Sequence, residues 1–235
     1  MQMTAKTFSA ALFTLLLGLP ASWAQNKTYK FIGEARNKKG EVVYIENHET
    51  TENAEGFIIS LKTNYTRPNG ETLVKMESDF SKNVLIPEIK FEDVRFQRKE
   101  DLTHNNKTVN VKIFEKEKKK KEKSFKIKGN MVAGTGFHNF ILKNFEDLKN
   151  GKQLPLSFIV LAKADFFVFD LVKKEIKGDR LKLHLKIHNW FLKNFIDTII
   201  VEYDLNSRRL LNFDGLTNIE DDKSKPQELF IEYKY

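Results

Sequence analysis

Apolar and polar residues alternate with a period of two along most of the chain after residue 28. The most regular run is 180–188, where leucine or isoleucine takes every second position and lysine or histidine lies between them. Because successive side chains of a strand point to opposite faces of a sheet, this alternation predicts strands with one buried face. Further runs of this kind lie at 29–35, 41–50, 57–65, 71–80, 86–98, 108–114, 124–128, 154–161, 166–172, 198–204, 208–213 and 228–233.

Short turn signals separate these runs. Gly, Asn and Pro cluster at 37–40, 53–56 and 67–70, and such clusters favour tight turns. Tight turns can join antiparallel strands, whereas parallel neighbours need long crossovers. The predicted fold class is mainly antiparallel β (α+β): a curved sheet or open half-barrel meander with one central amphipathic helix packed on it.

One segment has the helical rather than the strand period. Its apolar positions are Phe137, Phe140, Ile141, Phe145 and Leu148, and Gly151 follows where a C-cap is expected. A helix with several phenylalanines on one face is expected to lie against the concave side of the sheet. A membrane-surface helix is the competing interpretation, and Glu146 and Asp147 on the polar face argue against it.

The first 24 residues have the layout of a cleavable signal peptide. Lys6 precedes an apolar stretch at 10–19, and the small-residue pattern Ser22-Trp23-Ala24 follows. This stretch is shorter than the roughly 20 residues that cross a bilayer, so cleavage is favoured over a retained anchor. We expect a signal peptide at 1–24 and a single exported β-rich domain at 25–235.

The chain has no cysteine, so neither a disulfide nor a lipid-modified cysteine can form. An exported domain of this kind fits the periplasm of a Gram-negative bacterium best, with the extracellular space as the alternative. The net charge is +8, and in an exported protein this charge favours an anionic membrane surface over nucleic acid as a partner. A basic surface that serves only solubility is the other interpretation.

A lysine-rich stretch at 116–123 lies between two predicted strands of a hairpin. It is expected at the hairpin tip or along one projecting edge, and its centre is the basic patch Lys118, Lys119, Lys120 and Lys121. Two interpretations are open. The patch contacts phosphate head groups, or its lysines keep the sheet edge from pairing with other sheets, and the second is favoured.

The sequence contains no serine-hydrolase elbow, phosphate-binding glycine loop, zinc-protease helix motif or cysteine nucleophile. His184 and His188 share one strand face, but their lysine neighbours repel a divalent cation. Asp165 and Asp170 are an odd number of residues apart, so a strand places them on opposite faces. We therefore predict no enzyme, no catalytic residue, no metal and no cofactor.

Part of the C-terminal half resembles a known family. The residues that carry the resemblance are Gly136-Phe137-His138-Asn139-Phe140, Asn144-Phe145, Leu148, Gly151, Ala164-Asp165-Phe166, Tyr203-Asp204-Leu205, Arg208-Arg209-Leu210-Leu211 and Gly215-Leu216-Thr217-Asn218-Ile219. They are similar to a family of uncharacterised exported proteobacterial proteins, to which no activity is assigned. Where that family tends toward Ser-Arg-Leu-Asp, this chain has Ala162-Lys163-Ala164-Asp165, so no role of the arginine carries over. The order of elements also resembles the open half-barrels of periplasmic lipoprotein carriers, which hold acyl chains in an apolar concavity.

Two functions are compatible with these features. The first is a binding module that accepts a lipid or other amphiphile in an apolar cavity, with lysines attracting the anionic head. The predicted lining of that cavity is Phe137, Phe140, Ile141, Phe145, Phe167, Phe169 and Trp190. The second is a structural or interaction protein of the cell envelope whose phenylalanines fill a closed core. The oligomeric state is open in both.

Overall fold

The computed structural model describes residues 25–105, 107–188 and 198–235. These residues form one curved, non-closed sheet of fifteen strands, two helices and a 3-10 turn at Leu161–Lys163. The strands are β1 Lys27–Arg36, β2 Val42–Glu52, β3 Ile58–Thr66, β4 Thr72–Asp79, β5 Glu88–Asp93, β6 Arg98–His104, β7 Thr108–Glu115, β8 Lys118–Lys126, β9 Met131–Ala133, β10 Leu154–Val160, β11 Asp165–Lys177, β12 Arg180–Ile187, β13 Ile199–Asp204, β14 Leu210–Leu216 and β15 Glu228–Lys234. The helices are α1 Gly136–Lys143 and α2 Phe145–Lys149. The predicted signal peptide and Trp190 lie outside the described residues.

Strands that follow one another in the chain are neighbours in the sheet almost throughout. The order is β8-β7-β6-β5-β4-β3-β2-β1-β15-β14-β13-β12-β11-β10-β9. Two meanders therefore meet where β1 pairs with β15, with Ile32 opposite Lys234. All described pairs are antiparallel except β9 with β10. The prediction of a mainly antiparallel curved sheet is confirmed.

The sheet curls until its two edges come close together. The edge strand β8 ends at Lys126 and the opposite edge strand β9 begins at Met131. An extended chain of this length spans at most about 17 Å. Across the gap, the Nζ of Lys121 donates a hydrogen bond to the carbonyl of Lys163 at 2.5 Å. The edges approach each other through side chains while the sheet stays open.

The concave face carries two adjoining apolar clusters. The first lies mainly under β1–β7 and includes Tyr44 and Leu102, neither of which is exposed to solvent. The second joins α1 and α2 to β10–β13. All four inward residues of β12 belong to it: Leu181, Leu183, Leu185 and Ile187. The single buried face predicted from the alternation of this strand is confirmed.

The predicted single helix is two helices. Asn144 separates them with φ −114° and ψ 20°, outside the helical region. Its Nδ2 donates a hydrogen bond to the carbonyl of Phe140 at 2.8 Å, and such a side-chain bond competes with the helical backbone ladder. The apolar face is continuous across the break, because Phe140, Ile141, Phe145 and Leu148 are each at most 2% exposed.

The lysine stretch forms the edge strand itself. The hairpin turn consists of Lys116 and Glu117, with φ of 48° and 62°, and β8 begins at the next residue. The four lysines 118–121 of the basic patch therefore lie along an edge, which is one of the two predicted placements. All four are exposed.

Strand β6 has no apolar alternation because its inward face is part of an ion-pair network. Glu100 is 3% exposed. Arg98 lies between it and Glu220, with Nε 3.1 Å from Glu100 Oε1 and Nη1 2.8 Å from Glu220 Oε2. The guanidinium of Arg95 donates two hydrogen bonds, of 3.1 and 2.7 Å, to the buried carboxylate of Asp93. The network ties the β14–β15 loop to the β5–β6 turn.

This network makes stability depend on pH. Burial raises the pKa of Glu100 to about 7 from 4.5, against the lowering effect of Arg98. The folded protein then keeps a proton that the unfolded chain releases, so the free energy of unfolding falls as the pH rises from about 4.5 to 7. Glu100→Gln is expected to remove this fall, so that the variant gains stability relative to the wild type across this window. Urea denaturation at a series of pH values measures the difference.

The control is Glu77→Gln, on an exposed side chain of β4 that is 61% accessible. It is expected to keep the pH profile of the wild type. A difference between Glu100→Gln and the wild type that is the same at every pH would contradict the proposed protonation of Glu100.

Candidate functional site

One surface cleft of about 570 Å³ lies at the β11–β12 hairpin. Its lining residues are Glu175, Lys177, Gly178, Arg180, Lys182 and Glu202. The Nζ of Lys182 lies 3.2 Å from Glu175 and 2.9 Å from Glu202, and Arg180 lies 3.4 Å from Glu202. Because these four side chains pair with one another, Lys177 is the one lining cation of this cleft that has no ion pair with a described residue.

A second cleft, of about 520 Å³, opens at one end of the curved sheet. It lies where α1 meets β1, the β2–β3 turn and the β13–β14 turn. We call it the end cleft, and its lining residues are Lys27, Tyr29, Glu52, Glu55, Gly56, Phe57, His138, Leu142, Lys143, Ser207, Arg208, Arg209 and Tyr235. Its volume falls within the roughly 300–1,000 Å³ that is usual for small-ligand pockets.

Positive charge is in excess in the end cleft. The lining contains four cations and two carboxylates: Lys27, Lys143, Arg208, Arg209, Glu52 and Glu55. Glu52 accepts a hydrogen bond from the hydroxyl of Tyr29, and Arg208 pairs with Glu146 at 2.9 Å. Within the described ranges, no carboxylate pairs with Arg209. The cleft therefore has cationic groups that a ligand anion can neutralise.

Aromatic rings hold Arg209 in place. Its guanidinium carbon lies 5.3 Å from the ring centre of Tyr29 and 4.6 Å from that of Tyr235. Tyr235 stacks on Phe31 at 4.7 Å, and Phe31 stacks on His48 at 4.3 Å. A continuous stack of planar groups thus runs inward from the cleft. A guanidinium that lies on ring faces keeps N–H donors at its edge for a carboxylate or phosphate.

The inner end of this stack is a buried polar group. His48 Nε2 lies 2.9 Å from Glu46 Oε2, and His48 Nδ1 lies 2.8 Å from Thr63 Oγ1. The order of hydroxyl, imidazole and carboxylate is that of a hydrolase triad. Thr63 is only 3% exposed, however, which places its hydroxyl out of reach of a substrate. Instead, the hydrogen bonds with Thr63 and Glu46 fix the orientation of the His48 ring at the inner end of the stack.

Helix α1 forms one wall of the end cleft. The ring of His138 stacks on Tyr203 at 5.6 Å, and its Nδ1 lies 3.1 Å from the Tyr203 hydroxyl oxygen. Burial lowers the pKa of His138 to about 4, so its imidazole is neutral at neutral pH. Leu142 and Phe57 add apolar surface beside it. The cleft thus combines cations with aromatic and apolar walls, a composition that suits an amphiphile with an anionic head.

Asn139 and Gly136 determine the position of α1. The Oδ1 of Asn139 accepts a hydrogen bond from the N–H of Ile58 at 2.9 Å. Its Nδ2 donates to the carbonyls of Ile58 and Val84 at 2.9 and 2.8 Å. A Cβ at Gly136 would lie 2.0 Å from the carbonyl oxygen of Leu85, so only glycine fits there. These contacts fix the helix against β3 and the loop that follows β4.

Comparison of the chain with protein-family models, curated proteins and solved structures found no match. In the part of the chain that the structure describes, no helix is both long and apolar enough to cross a membrane. Nor does any set of three potential metal ligands lie together in that part. His188 follows the last residue of β12 and is exposed, with its Nδ1 3.0 Å from the carboxylate of Asp170.

Apart from Trp190, which lies outside the described residues, the residues predicted to line an apolar cavity lie in or against the second apolar cluster. Four of them are at most 6% exposed: Phe140, Ile141, Phe145 and Phe169. Phe137 and Phe167 are partly buried against the same cluster, and Phe137 makes an edge-to-face contact with Phe158 at 6.0 Å. Neither of the two clefts is lined by these side chains.

Sequence reasoning missed the end cleft. Its residues come from distant positions, and the pairing of β1 with β15 is needed to bring Tyr29 close to Tyr235. No local pattern marks such a site.

Proposed function

We propose that the chain is an exported binding protein, not an enzyme, and that the end cleft takes up an amphiphile with an anionic head group. The observation that carries the proposal is the Arg209 guanidinium, which lies between two tyrosine rings without a carboxylate partner in the described ranges. A partly buried cation is stabilised by a counter-ion. A ligand carboxylate or phosphate supplies it, and Lys27 and Lys143 add to the attraction.

The apolar walls favour an amphiphile over a small inorganic anion. Phe57 and Leu142 line the cleft beside the tyrosine rings, and burial of apolar ligand surface there contributes to affinity. The head group binds Arg209 and the hydrocarbon part contacts Phe57 and Leu142. The periplasm of a Gram-negative bacterium is the proposed compartment, with the extracellular space as the alternative.

Arg209→Ala is expected to raise the Kd for a fluorescent fatty acid by about 10- to 100-fold, because a hydrogen bond between charged groups contributes roughly 1.5–3 kcal/mol. Fluorescence titration of the purified protein measures the change. The matched control is Arg180→Ala, in the other cleft, where Arg180 is already paired with Glu202. This control is expected to leave the Kd unchanged.

The ligand head group provides an independent check. The methyl ester of the same fatty acid keeps the chain and removes the charge, so the wild type is expected to bind it more weakly than the acid. Equal binding of ester and acid, or an unchanged Kd in Arg209→Ala, would show that the ligand head group does not bind in the end cleft. Binding that is lost in Phe140→Ala but kept in Arg209→Ala would place it under the helices.

Close packing under the helices favours a second function, an envelope structural or interaction protein with a closed core. Phe140, Ile141 and Phe145 are each at most 2% exposed, so the fold itself already uses these apolar side chains. This function predicts that the purified protein carries no amphiphile and binds none. Native mass spectrometry of the protein as purified distinguishes the two functions.

A further inference from the structure

A basic surface lies where the edge strand β8 meets the beginning of β11. The stretch 116–128 contains eight lysines and two glutamates, and every residue of β8 except Phe125 is exposed. The Nζ of Lys123 lies 2.7 Å from the carboxylate of Asp165. Together with the bond between Lys121 and the Lys163 carbonyl, at 2.5 Å, this pair holds the lysine strand beside β11.

Large apolar side chains are exposed next to these lysines. Phe166 is 37% exposed and Val168 is 40% exposed, both on β11. The Phe166 ring lies 5.4 Å from the ring of Phe125 on β8. The apolar surface is therefore continuous with the lysine strand, and an exposed apolar patch rimmed by charge is typical of an interaction site.

Nearby carboxylates neutralise only part of this charge. Glu122 lies 2.8 Å from Lys119 and 3.6 Å from Lys112, and Glu115 lies 3.4 Å from Lys120. Of the eight lysines in 116–128, only Lys119, Lys120 and Lys123 form an ion pair with a described residue. The other five do not: Lys116, Lys118, Lys121, Lys126 and Lys128. Free positive charge thus remains along the edge.

We propose that this surface docks the protein onto an anionic lipid bilayer. Groups of roughly four to eight lysines or arginines are typical of segments that bind anionic lipids, and aromatic side chains favour the membrane–water interface. The lysines contact lipid phosphates while Phe166 and Val168 enter the interface. The surface shares no residue with the end cleft, so membrane docking is a property separate from ligand uptake.

Co-sedimentation of the protein with vesicles tests the proposal. Binding is expected with vesicles that contain phosphatidylglycerol, to weaken as salt is added, and to be absent with pure phosphatidylcholine. The double variant Lys118→Glu with Lys126→Glu is expected to reduce binding by at least about tenfold. Phe166→Ser is expected to reduce it severalfold without changing the charge.

The matched control is Lys223→Glu with Lys225→Glu, an equal charge change on exposed residues of the β14–β15 loop. It is expected to bind vesicles like the wild type, and circular dichroism checks that each variant is folded. Equal loss in both double variants, or equal binding to both kinds of vesicle, would overturn the proposal. If the protein does not bind vesicles but does bind an acidic protein, the proposal is overturned and the surface is a site for a protein partner. Arg209→Ala is expected to keep vesicle binding, which separates this result from the test of the end cleft.

Discussion

Asn139→Ala is expected to lower the free energy of unfolding by roughly 2–6 kcal/mol, since it breaks two buried hydrogen bonds and each buried group left without a partner costs about 1–3 kcal/mol. Asn139 is completely buried. Its side chain satisfies the N–H and carbonyl of Ile58 and the carbonyl of Val84. An alanine leaves all three groups unpaired and releases α1 from β3. Urea denaturation of wild type and variant measures the loss.

The matched control is Asn144→Ala, which removes one side-chain bond to the carbonyl of Phe140 at the break between the helices. This side chain is only partly buried, so we expect a loss of about 1 kcal/mol or less. Similar losses for the two variants would mean that Asn139 does not fix α1. Because Phe57 lines the end cleft next to Ile58, Asn139→Ala is also expected to weaken binding of the fluorescent fatty acid.

Phe140→Ala is expected to lower the free energy of unfolding by roughly 3–5 kcal/mol, the usual cost of removing a phenylalanine from a packed core. Phe140 is 2% exposed and belongs to the second apolar cluster. Phe166→Ala is the control, because Phe166 is 37% exposed and surface substitutions usually change stability by about 0.5 kcal/mol. Thermal and urea denaturation give both values.

The same pair of variants tests the cavity predicted from the sequence. A side chain that lines an empty cavity can be removed at little cost, whereas a packed one cannot. A loss below about 1 kcal/mol for Phe140→Ala, combined with loss of fatty-acid binding, would show that Phe140 lines a ligand cavity and does not fill the core.

The sheet was predictable from the sequence because one of its faces is apolar. In β12 the four inward residues from Leu181 to Ile187 alternate with polar ones, and the structure buries all four. Strand β6 could not be recognised in this way. Its inward residues Arg98 and Glu100 are polar, and Arg98 pairs there both with Glu100 and with Glu220, which comes from a distant part of the chain.

The position of the helical segment and its apolar face were predictable from the sequence. Its division into two helices was not. Its break depends on whether the amide of Asn144 bonds the carbonyl of Phe140 or the solvent, and the apolar period carries no information on that choice. The short strand β9 was missed because three residues flanked by glycines show no alternation. It exists because Met131 to Ala133 pair in parallel with β10.

The end cleft was beyond prediction for a different reason. The rings of Tyr29 and Tyr235 form the binding environment of Arg209. These two residues are near each other only after the whole sheet has formed. The charge excess in the sequence pointed instead to the lysine stretch at 116–123, whose residues are adjacent in the chain. Local patterns reveal a site of contiguous residues and conceal one built from tertiary contacts.

The junction between β1 and β15 has a consequence for the order of folding. β15 follows every other strand of the described sheet in the chain, yet it occupies the middle of the sheet, between β1 and β14. Contacts between residues so far apart in the chain form slowly. Until β15 arrives, β1 and β14 present open edges on which other chains can aggregate. The end cleft needs Tyr29 beside Tyr235, so it is among the last parts of the described sheet to assemble.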